Sequence, residues 1–253
     1  MDGSSQKGEE KKKVNKVKTY PVPCDLGEIQ ENITIATNTA SKPSKEQIIN
    51  QAFKFHSQGK ISEAIKYYQL FINQGFKDQR VFSNYGIILK NLGKSQEAEI
   101  SYRKAIEINP NFEEAHFNLG NTLKDLGRLQ EAELSTRKAI KINPDFVEAH
   151  SNLGNVLKDL GKLQDAEFSY RKAIEIKPDY ADAHLNLGNI FRELGKFKEA
   201  EISTRKSIEI RPDYADAHLS LGIILSDLGK LKEAELSYSK AIEIKPDFVE
   251  AAW

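Results

Sequence analysis

Apolar and small residues recur through most of the chain at the spacing of amphipathic helices. In the stretch that begins at Glu113, one helix face is marked at steps of three and four by Ala115, His116, Leu119, Gly120 and Leu123. A second run with similar spacing follows at Leu129, Ala132, Thr136, Ala139 and Ile140. The pattern therefore predicts two short helices in succession, each with one buried face.

Glycine and proline mark the ends of these helices. Gly127 follows the first run and is typical of the left-handed residue that closes a helix. Pro144 cannot continue the second helix. The four residues after it have the form of a capping box, which predicts that Asp145 caps the next helix. Two more segments have the same form, 111–114 and 247–250.

This helix pair is repeated six times without a gap. The proline after the second helix recurs about every 34 residues, at Pro110, Pro144, Pro178, Pro212 and Pro246. The predicted repeats are 45–78, 79–112, 113–146, 147–180, 181–214 and 215–248. A capping box at 44–47 starts the first repeat, and 249–253 begins a seventh. Because one helix pair is too small to bury its apolar face alone, the repeats are expected to stack into an all-α solenoid.

Two positions of every repeat carry small residues. Position 8 is occupied by Ala52, Gly86, Gly120, Gly154, Gly188 and Gly222. Position 20 is occupied by Ala64, Ala98, Ala132, Ala166, Ala200 and Ala234. A small residue on each helix allows the two backbones to cross closely, whereas a larger side chain would overpack the crossing.

Composition narrows the class of protein. Basic and acidic residues are equal in number among the 253 residues, so the formal net charge is zero and no basic excess indicates nucleic acid. No apolar run approaches membrane length, and the single cysteine, Cys24, cannot form an intrachain disulfide. These features predict a cytoplasmic protein. Residues 1–44 are polar, which predicts a disordered or extended tail; a nucleic-acid arm is the alternative for the lysine-rich residues 1–18.

Asparagines follow the face of the first helix that lies opposite the core. At about 100° per residue, positions 2, 6, 9 and 13 share a stripe turned away from the core positions. The asparagine rows, as we call them, are position 6 with Asn84, Asn118, Asn152 and Asn186, and position 9 with Asn121, Asn155 and Asn189. Carboxylates flank the rows, among them Glu148 and Asp182 at position 2 and Asp125 and Asp159 at position 13.

An amide side chain presents both donors and an acceptor, which match the backbone of a bound peptide. The asparagine rows and the flanking acids are therefore the predicted peptide-binding site. Because the acids would repel a carboxylate, neutral or basic peptides are the expected partners. The alternative is that duplication of the repeats copied an asparagine that has no role.

Histidine is the remaining candidate for chemistry. It recurs at position 4 as His116, His150, His184 and His218. Neighbouring helices pack about 8–10 Å apart, so one histidine per repeat cannot converge on a single metal ion, and we interpret these side chains as half-buried packing residues. No nucleophile–base arrangement and no phosphate-binding glycine motif is present. The sequence predicts no catalytic activity, no cofactor and no metal site.

The repeat resembles the tetratricopeptide repeat family, with small residues at positions 8, 20 and 27, an aromatic residue near position 24 and proline at position 32. Position 24 departs from that pattern because it alternates between tyrosine and threonine, as Tyr102, Thr136, Tyr170, Thr204 and Tyr238. The resemblance implies a right-handed superhelix of six repeats. It also implies that the first helices line a concave surface that binds extended peptides.

The asparagines at position 6 also resemble the superhelical arm of O-linked N-acetylglucosamine transferases, in which such a ladder grips the substrate backbone. The main hypothesis is a protein-interaction scaffold that binds an extended polypeptide. The second is the substrate-recognition arm of a larger enzyme, such as a glycosyltransferase, whose catalytic part lies outside this chain. The third is self-association through the uncapped last repeat, since end repeats need a polar outer face.

Overall fold

The computed structural model describes residues 19–20, 33–34 and 43–247. Two compact units are present, Met1–Lys77 and Asp78–Trp253. In the first unit, two short strands, β1 (Thr19–Tyr20) and β2 (Ile33–Thr34), pair antiparallel. The predicted tail, the capping segment at 247–250 and the start of a seventh repeat lie wholly or largely outside the described residues.

The first unit contains one helix pair, α1 (Lys45–Ser57) and α2 (Ile61–Asn73). The capping box predicted at Ser44 is confirmed, because the Ser44 hydroxyl accepts from the Gln47 backbone and the Gln47 side chain accepts from the Ser44 backbone. Both helices bury their apolar faces, and the fully buried side chains include Ile48, Ala64, Tyr68 and Phe71.

The second unit contains five helix pairs, one for each remaining predicted repeat. The first helices are α3 (Gln79–Asn91), α5 (Glu113–Asp125), α7 (Val147–Asp159), α9 (Ala181–Glu193) and α11 (Ala215–Asp227). The second helices are α4 (Ser95–Ile108), α6 (Leu129–Ile142), α8 (Leu163–Ile176), α10 (Phe197–Ile210) and α12 (Leu231–Ile244). Each helix packs on the next along the chain. The described residues thus form twelve helices in six pairs, and the all-α solenoid is confirmed.

The turns within the repeats match the prediction, but the caps predicted at the turns between them do not. Gly127 has a φ of 73°, the left-handed conformation that closes a helix without a Cβ clash. The cap of α7, however, is Phe146, and it makes no side-chain capping bond, so the prediction for Asp145 is wrong. Phe112 likewise caps α5 without a side-chain bond, where the form of 111–114 predicts a capping box.

Helix α7 begins one residue later than the capping pattern predicts, so Phe146 holds the N-cap position, and the position-4 histidine ties this start to the preceding turn. His150 Nε2 lies 2.8 Å from the Pro144 carbonyl oxygen, and His116 Nε2 lies 2.9 Å from that of Pro110. Because a carbonyl oxygen only accepts, each ring donates from Nε2 and ties the new helix to the preceding turn. Asp145 stays exposed.

The two helices of a repeat cross at the small positions, as predicted. A Cβ added to Gly154 would lie 2.6 Å from Cε1 of Tyr170, which is too close for any real side chain. Ala166 is fully buried in the same cluster, together with Leu157 and Ile190. The crossing therefore has no spare volume, and the ring of Tyr170 fills the space that glycine leaves.

A carboxylate at position 21 joins each repeat of the second unit to the next one. Glu133 accepts from Arg137 on its own helix at 2.9 Å and from Lys162 of the following repeat at 2.8 Å. The same two-sided arrangement is made by Glu99, Glu167 and Glu201. These carboxylates are largely shielded from solvent, with side-chain exposures from 13% to 17%. They fix neighbouring repeats in register.

Ala166→Leu is expected to lower the free energy of unfolding by about 1–3 kcal/mol, because the added carbons have no free volume to enter. Urea denaturation followed by circular dichroism measures this change. Gln164→Leu, at an exposed site on the same helix, is the matched control and should change stability little. An unchanged midpoint for Ala166→Leu would contradict the close crossing.

Glu133→Gln is expected to lower stability at neutral pH by about 0.5–1.5 kcal/mol, because both cations lose their charged partner. The hydrogen bond from Lys162 lowers the pKa of Glu133, against an opposing effect of burial. Because the pKa of Glu133 is lowered in the fold, the ionised carboxylate stabilises the protein at pH values above the ordinary pKa of glutamate. This stability is lost as the pH falls through the lowered pKa. The difference from wild type should therefore shrink in acid.

Denaturation midpoints at neutral pH and near the lowered pKa test this prediction. Glu235→Gln is the control, since Glu235 holds position 21 of the last repeat, is exposed, and makes no ion pair within residues 43–247. If the difference in denaturation midpoint between Glu133→Gln and wild type stays constant with pH, that result would count against the role of Glu133 as a bridge between repeats.

Candidate functional site

The asparagine rows lie on consecutive first helices of the second unit. Asn84 is on α3, Asn118 and Asn121 are on α5, Asn152 and Asn155 are on α7, and Asn186 and Asn189 are on α9. Each is half-buried except Asn152, which is 7% exposed. Stacking of the repeats brings the rows together across four helices, while Ser220 interrupts position 6 on α11.

Three of the amides are engaged in hydrogen bonds within the protein. Tyr170 donates its hydroxyl to Asn155 Oδ1 at 2.7 Å, and Asn186 Nδ2 donates to the same oxygen at 3.4 Å. Asn152 Nδ2 donates to the Thr136 hydroxyl of the preceding repeat at 3.3 Å. Sequence spacing did not predict these bonds, although the alternation at position 24 carried the signal for them.

The alternation at position 24 decides which amides are held. Tyrosine is long enough to cross from the second helix to position 9, as Tyr170 does to Asn155. Threonine is too short, so position 9 stays open in the two threonine repeats. Within residues 43–247, four side chains of the rows make no hydrogen bond to the protein: Asn84, Asn118, Asn121 and Asn189. Their donors and acceptors are available to a ligand.

The flanking acids are largely neutralised by cations on neighbouring repeats. Asp125 pairs with Lys90 at 2.9 Å, and Asp159 pairs with Lys124 at 3.5 Å. Asp182 pairs with Arg211 at 3.2 Å. Glu148 is exposed and has no ion-pair partner among the described residues. The stripe is therefore less acidic than its residues alone indicate.

Two tyrosines that close their repeats lie beside these acids, and sequence reasoning did not include them in the site. Burial raises the pKa of Tyr180, and the charge of Asp182 adds to the rise. Burial also raises the pKa of Tyr214, which is further raised by a hydrogen bond to Asp182. The Arg211 guanidinium stacks 4.3 Å from the Tyr214 ring centre. Both phenols stay protonated at neutral pH and can donate.

The remaining candidates for chemistry take structural roles. The four position-4 histidines each bond to a proline carbonyl, His184 to Pro178 and His218 to Pro212 in the later repeats. Across the described ranges, no group of three or more His, Cys, Asp or Glu side chains is arranged to hold a metal ion. None of the helices in that part of the chain has the length and apolar character needed to cross a membrane.

Comparison with protein families identifies the class. Models described as tetratricopeptide repeats match residues 79–112, 101–133, 120–161, 154–195, 181–214 and 215–248. These matches cover well over half of the chain, and it belongs to the tetratricopeptide repeat family, whose fold serves as a protein-interaction scaffold. Comparison with curated proteins gives no significant match.

Solved structures share this fold. MamA is 27% identical with a TM-score of 0.59, covering 65% of this chain and 96% of MamA. YrrB, described as a TPR protein with an unusual peptide-binding site, is 23% identical with a TM-score of 0.57, covering 72% of this chain and 94% of YrrB. The APC/C hetero-tetramer Cut9–Hcn1 is 16% identical with a TM-score of 0.70, covering 83% of this chain and 42% of that one.

The two threonines of position 24 should respond oppositely to loss of their hydroxyl. Thr136→Val is expected to cost about 1–3 kcal/mol, because the buried Asn152 amide loses its acceptor. Thr204 Oγ1 is buried and has no hydrogen-bond partner in the described protein, so Thr204→Val should be neutral or stabilising. Denaturation midpoints of the two variants provide the comparison, and equal losses would contradict the assigned bonds.

Proposed function

We propose that the protein is a scaffold that binds an extended polypeptide along the first helices of its second unit, with the asparagine rows holding the ligand backbone. The observation that carries this proposal is the set of open amides at Asn84, Asn118, Asn121 and Asn189. An exposed apolar surface would favour particular side chains. Half-buried amides offer a donor and an acceptor to any peptide group.

The held amides have a supporting role in this proposal. Tyr170 and Asn186 fix Asn155 from two sides, and Thr136 fixes Asn152. Fixed side chains lose no further rotamer freedom when a ligand binds, so they keep the helix face in one arrangement. The open amides on either side then make the direct contacts with the ligand.

Charge adjusts the choice of ligand without dominating it. The pairs Asp125–Lys90, Asp159–Lys124 and Asp182–Arg211 offset part of the negative charge of the stripe. The carboxylate of Glu148 favours a basic side chain of the ligand beside α7, and its charge raises the pKa of Tyr180 further. Neutral or basic segments are therefore the proposed ligands, with binding that depends weakly on salt.

The comparisons support the general form of this proposal. MamA and YrrB share the fold over nearly their whole length, and YrrB is described as having a peptide-binding site. Neither likeness assigns a ligand to this chain. The hydrogen bonds of this protein separate the open amides proposed to bind a ligand from the amides held within the fold.

The test begins with a library of linear peptides displayed on phage and selected on the full chain. The tightest peptide is then synthesised, and its affinity is measured by calorimetry for wild type and for Asn121→Ala/Asn189→Ala. Loss of two backbone hydrogen bonds is expected to weaken binding by about 10–100-fold. N-methylation of single ligand amides should weaken it at the matching positions.

The matched control is Asn111→Ala, which alters an exposed asparagine in the turn after α4 and should leave the affinity unchanged. Selection of no peptide at all would overturn the proposal. So would selected peptides that bind Asn121→Ala/Asn189→Ala as tightly as they bind wild type.

A further inference from the structure

A row of large apolar side chains projects into solvent from the second helices. One residue of each repeat in the second unit contributes, always at position 22. We call this row the second-helix ridge, and it consists of Ile100, Leu134, Phe168, Ile202 and Leu236. The exposed fractions range from 63% to 72%, so the core does not account for these side chains. A row of this kind on one face marks an interaction surface.

Open grooves run between neighbouring second helices beside the ridge. One is lined by Ile174 of α8, Leu187 of α9 and Ile202 of α10, together with charged side chains that include Arg171 and Lys206. The next is lined by Ile208, Leu221, Leu236 and Ser237. Serine at position 23 is small and nearly buried, which leaves room between the helices. Ridge and groove therefore alternate along this face of the unit with the period of the repeat.

Copying of a single residue by duplication does not explain the ridge. Within this chain, position 22 changes among isoleucine, leucine and phenylalanine while it stays large and apolar. An inert copy would have kept its identity or drifted to the polar residues that suit an exposed helix position. The size and apolar character of the position persist although its identity varies.

We propose that the second-helix ridge binds a second copy of this chain in a twofold arrangement. Any other partner would need apolar groups at the same spacing over several repeats, whereas a second copy has that spacing by identity. A twofold axis that lies parallel to the helices and passes by Phe168 brings Phe168 against Phe168 of the partner subunit. It also places Leu134 opposite Ile202 of the partner subunit, and Ile100 opposite Leu236 of the partner subunit.

One charge beside the ridge distinguishes this order of repeats from the unreversed one. Lysine at position 26 and glutamate at position 29 pair within a helix, as in Lys172–Glu175 at 2.6 Å and Lys206–Glu209 at 2.7 Å. The third repeat differs because it has Lys141 where the others have glutamate. Reversing the order of repeats sets Lys141 opposite Glu209 of the partner subunit, so the unmatched cation meets an acid.

The area is sufficient for a specific dimer. Five side chains with roughly two thirds of their surface exposed present on the order of 600 Å² per copy, and the flanking lysine and arginine stems add to it. With the whole ridge in contact, the two copies together would bury roughly 1,200 Å², which is the lower end of stable interfaces.

Sedimentation velocity of the full chain over low to high micromolar concentrations tests the proposal. Wild type should sediment as a dimer at the upper end. Leu134→Glu/Phe168→Glu/Ile202→Glu should raise the dimer dissociation constant by at least about a hundredfold, because charges would be buried against apolar groups. Each new glutamate lies four residues before a lysine, namely Lys138, Lys172 and Lys206, so the helices should keep their stability.

The matched control is Leu231→Glu, which alters an equally exposed leucine, 68% exposed, that lies off the ridge. It should sediment like wild type. A wild type that stays monomeric at every concentration would overturn the proposal. Flotation of that monomer with neutral lipid vesicles would show a different ligand for the ridge and would not rescue the proposal. A ridge variant that remains dimeric would also overturn it.

A cysteine cross-link tests the order of repeats separately. In a Cys24→Ser background, Phe168→Cys should form a disulfide-linked dimer on mild oxidation, because position 168 meets its own copy. Leu231→Cys should not cross-link under the same conditions. Efficient cross-linking at position 231 with none at 168 would exclude the proposed axis.

Discussion

The close crossing of the two helices within each repeat is the contact on which the rest of the structure depends. In the second unit, position 8 has no side chain and position 20 has a single carbon, so the backbones approach until the residue at position 24 fills the remaining space. At Gly154 that residue is Tyr170, and at Gly120 it is Thr136. Every repeat of the second unit uses this crossing, so the opposite faces of both helices recur at a fixed spacing. The asparagine rows and the second-helix ridge follow from that regularity.

The residue that fills the crossing also decides the hydrogen bonding of the first-helix face. Tyr170 crosses to Asn155, whereas Thr136 instead accepts from Asn152 of the next repeat. Thr204 has the same position as Thr136, but the following repeat has Ser220, too short to replace asparagine, so its hydroxyl has no partner in the described protein. The fold thus repeats with every helix pair, while the polar contacts of the face depend on two adjacent pairs.

Sequence reasoning predicted the helix pairs, the left-handed Gly127 and the capping box at Ser44, because each depends on residues close in the chain. It was wrong about Asp145, because α7 begins one residue later than the capping pattern indicates and Phe146 holds the N-cap position. It placed the asparagines on one stripe but could not separate held amides from open ones. That distinction depends on the reach of Tyr170 and Thr136 from neighbouring helices. The likeness to glycosyltransferase arms, the disordered tail and self-association through the last repeat stay predictions.

The first-helix face and the second-helix face differ in which property of the side chain recurs from repeat to repeat. Position 6 holds asparagine in four repeats of the second unit and serine in the fifth, and at Asn152 and Asn186 the amide makes a hydrogen bond of defined length within the fold. Position 22 keeps only size and apolar character, as Leu134, Phe168 and Ile202 show. Burial against another surface is non-directional and accepts any large apolar side chain, so it would leave this pattern. A directional contact is therefore our proposal for the asparagines and a non-directional one for the ridge, while copying by duplication stays the alternative for the asparagines.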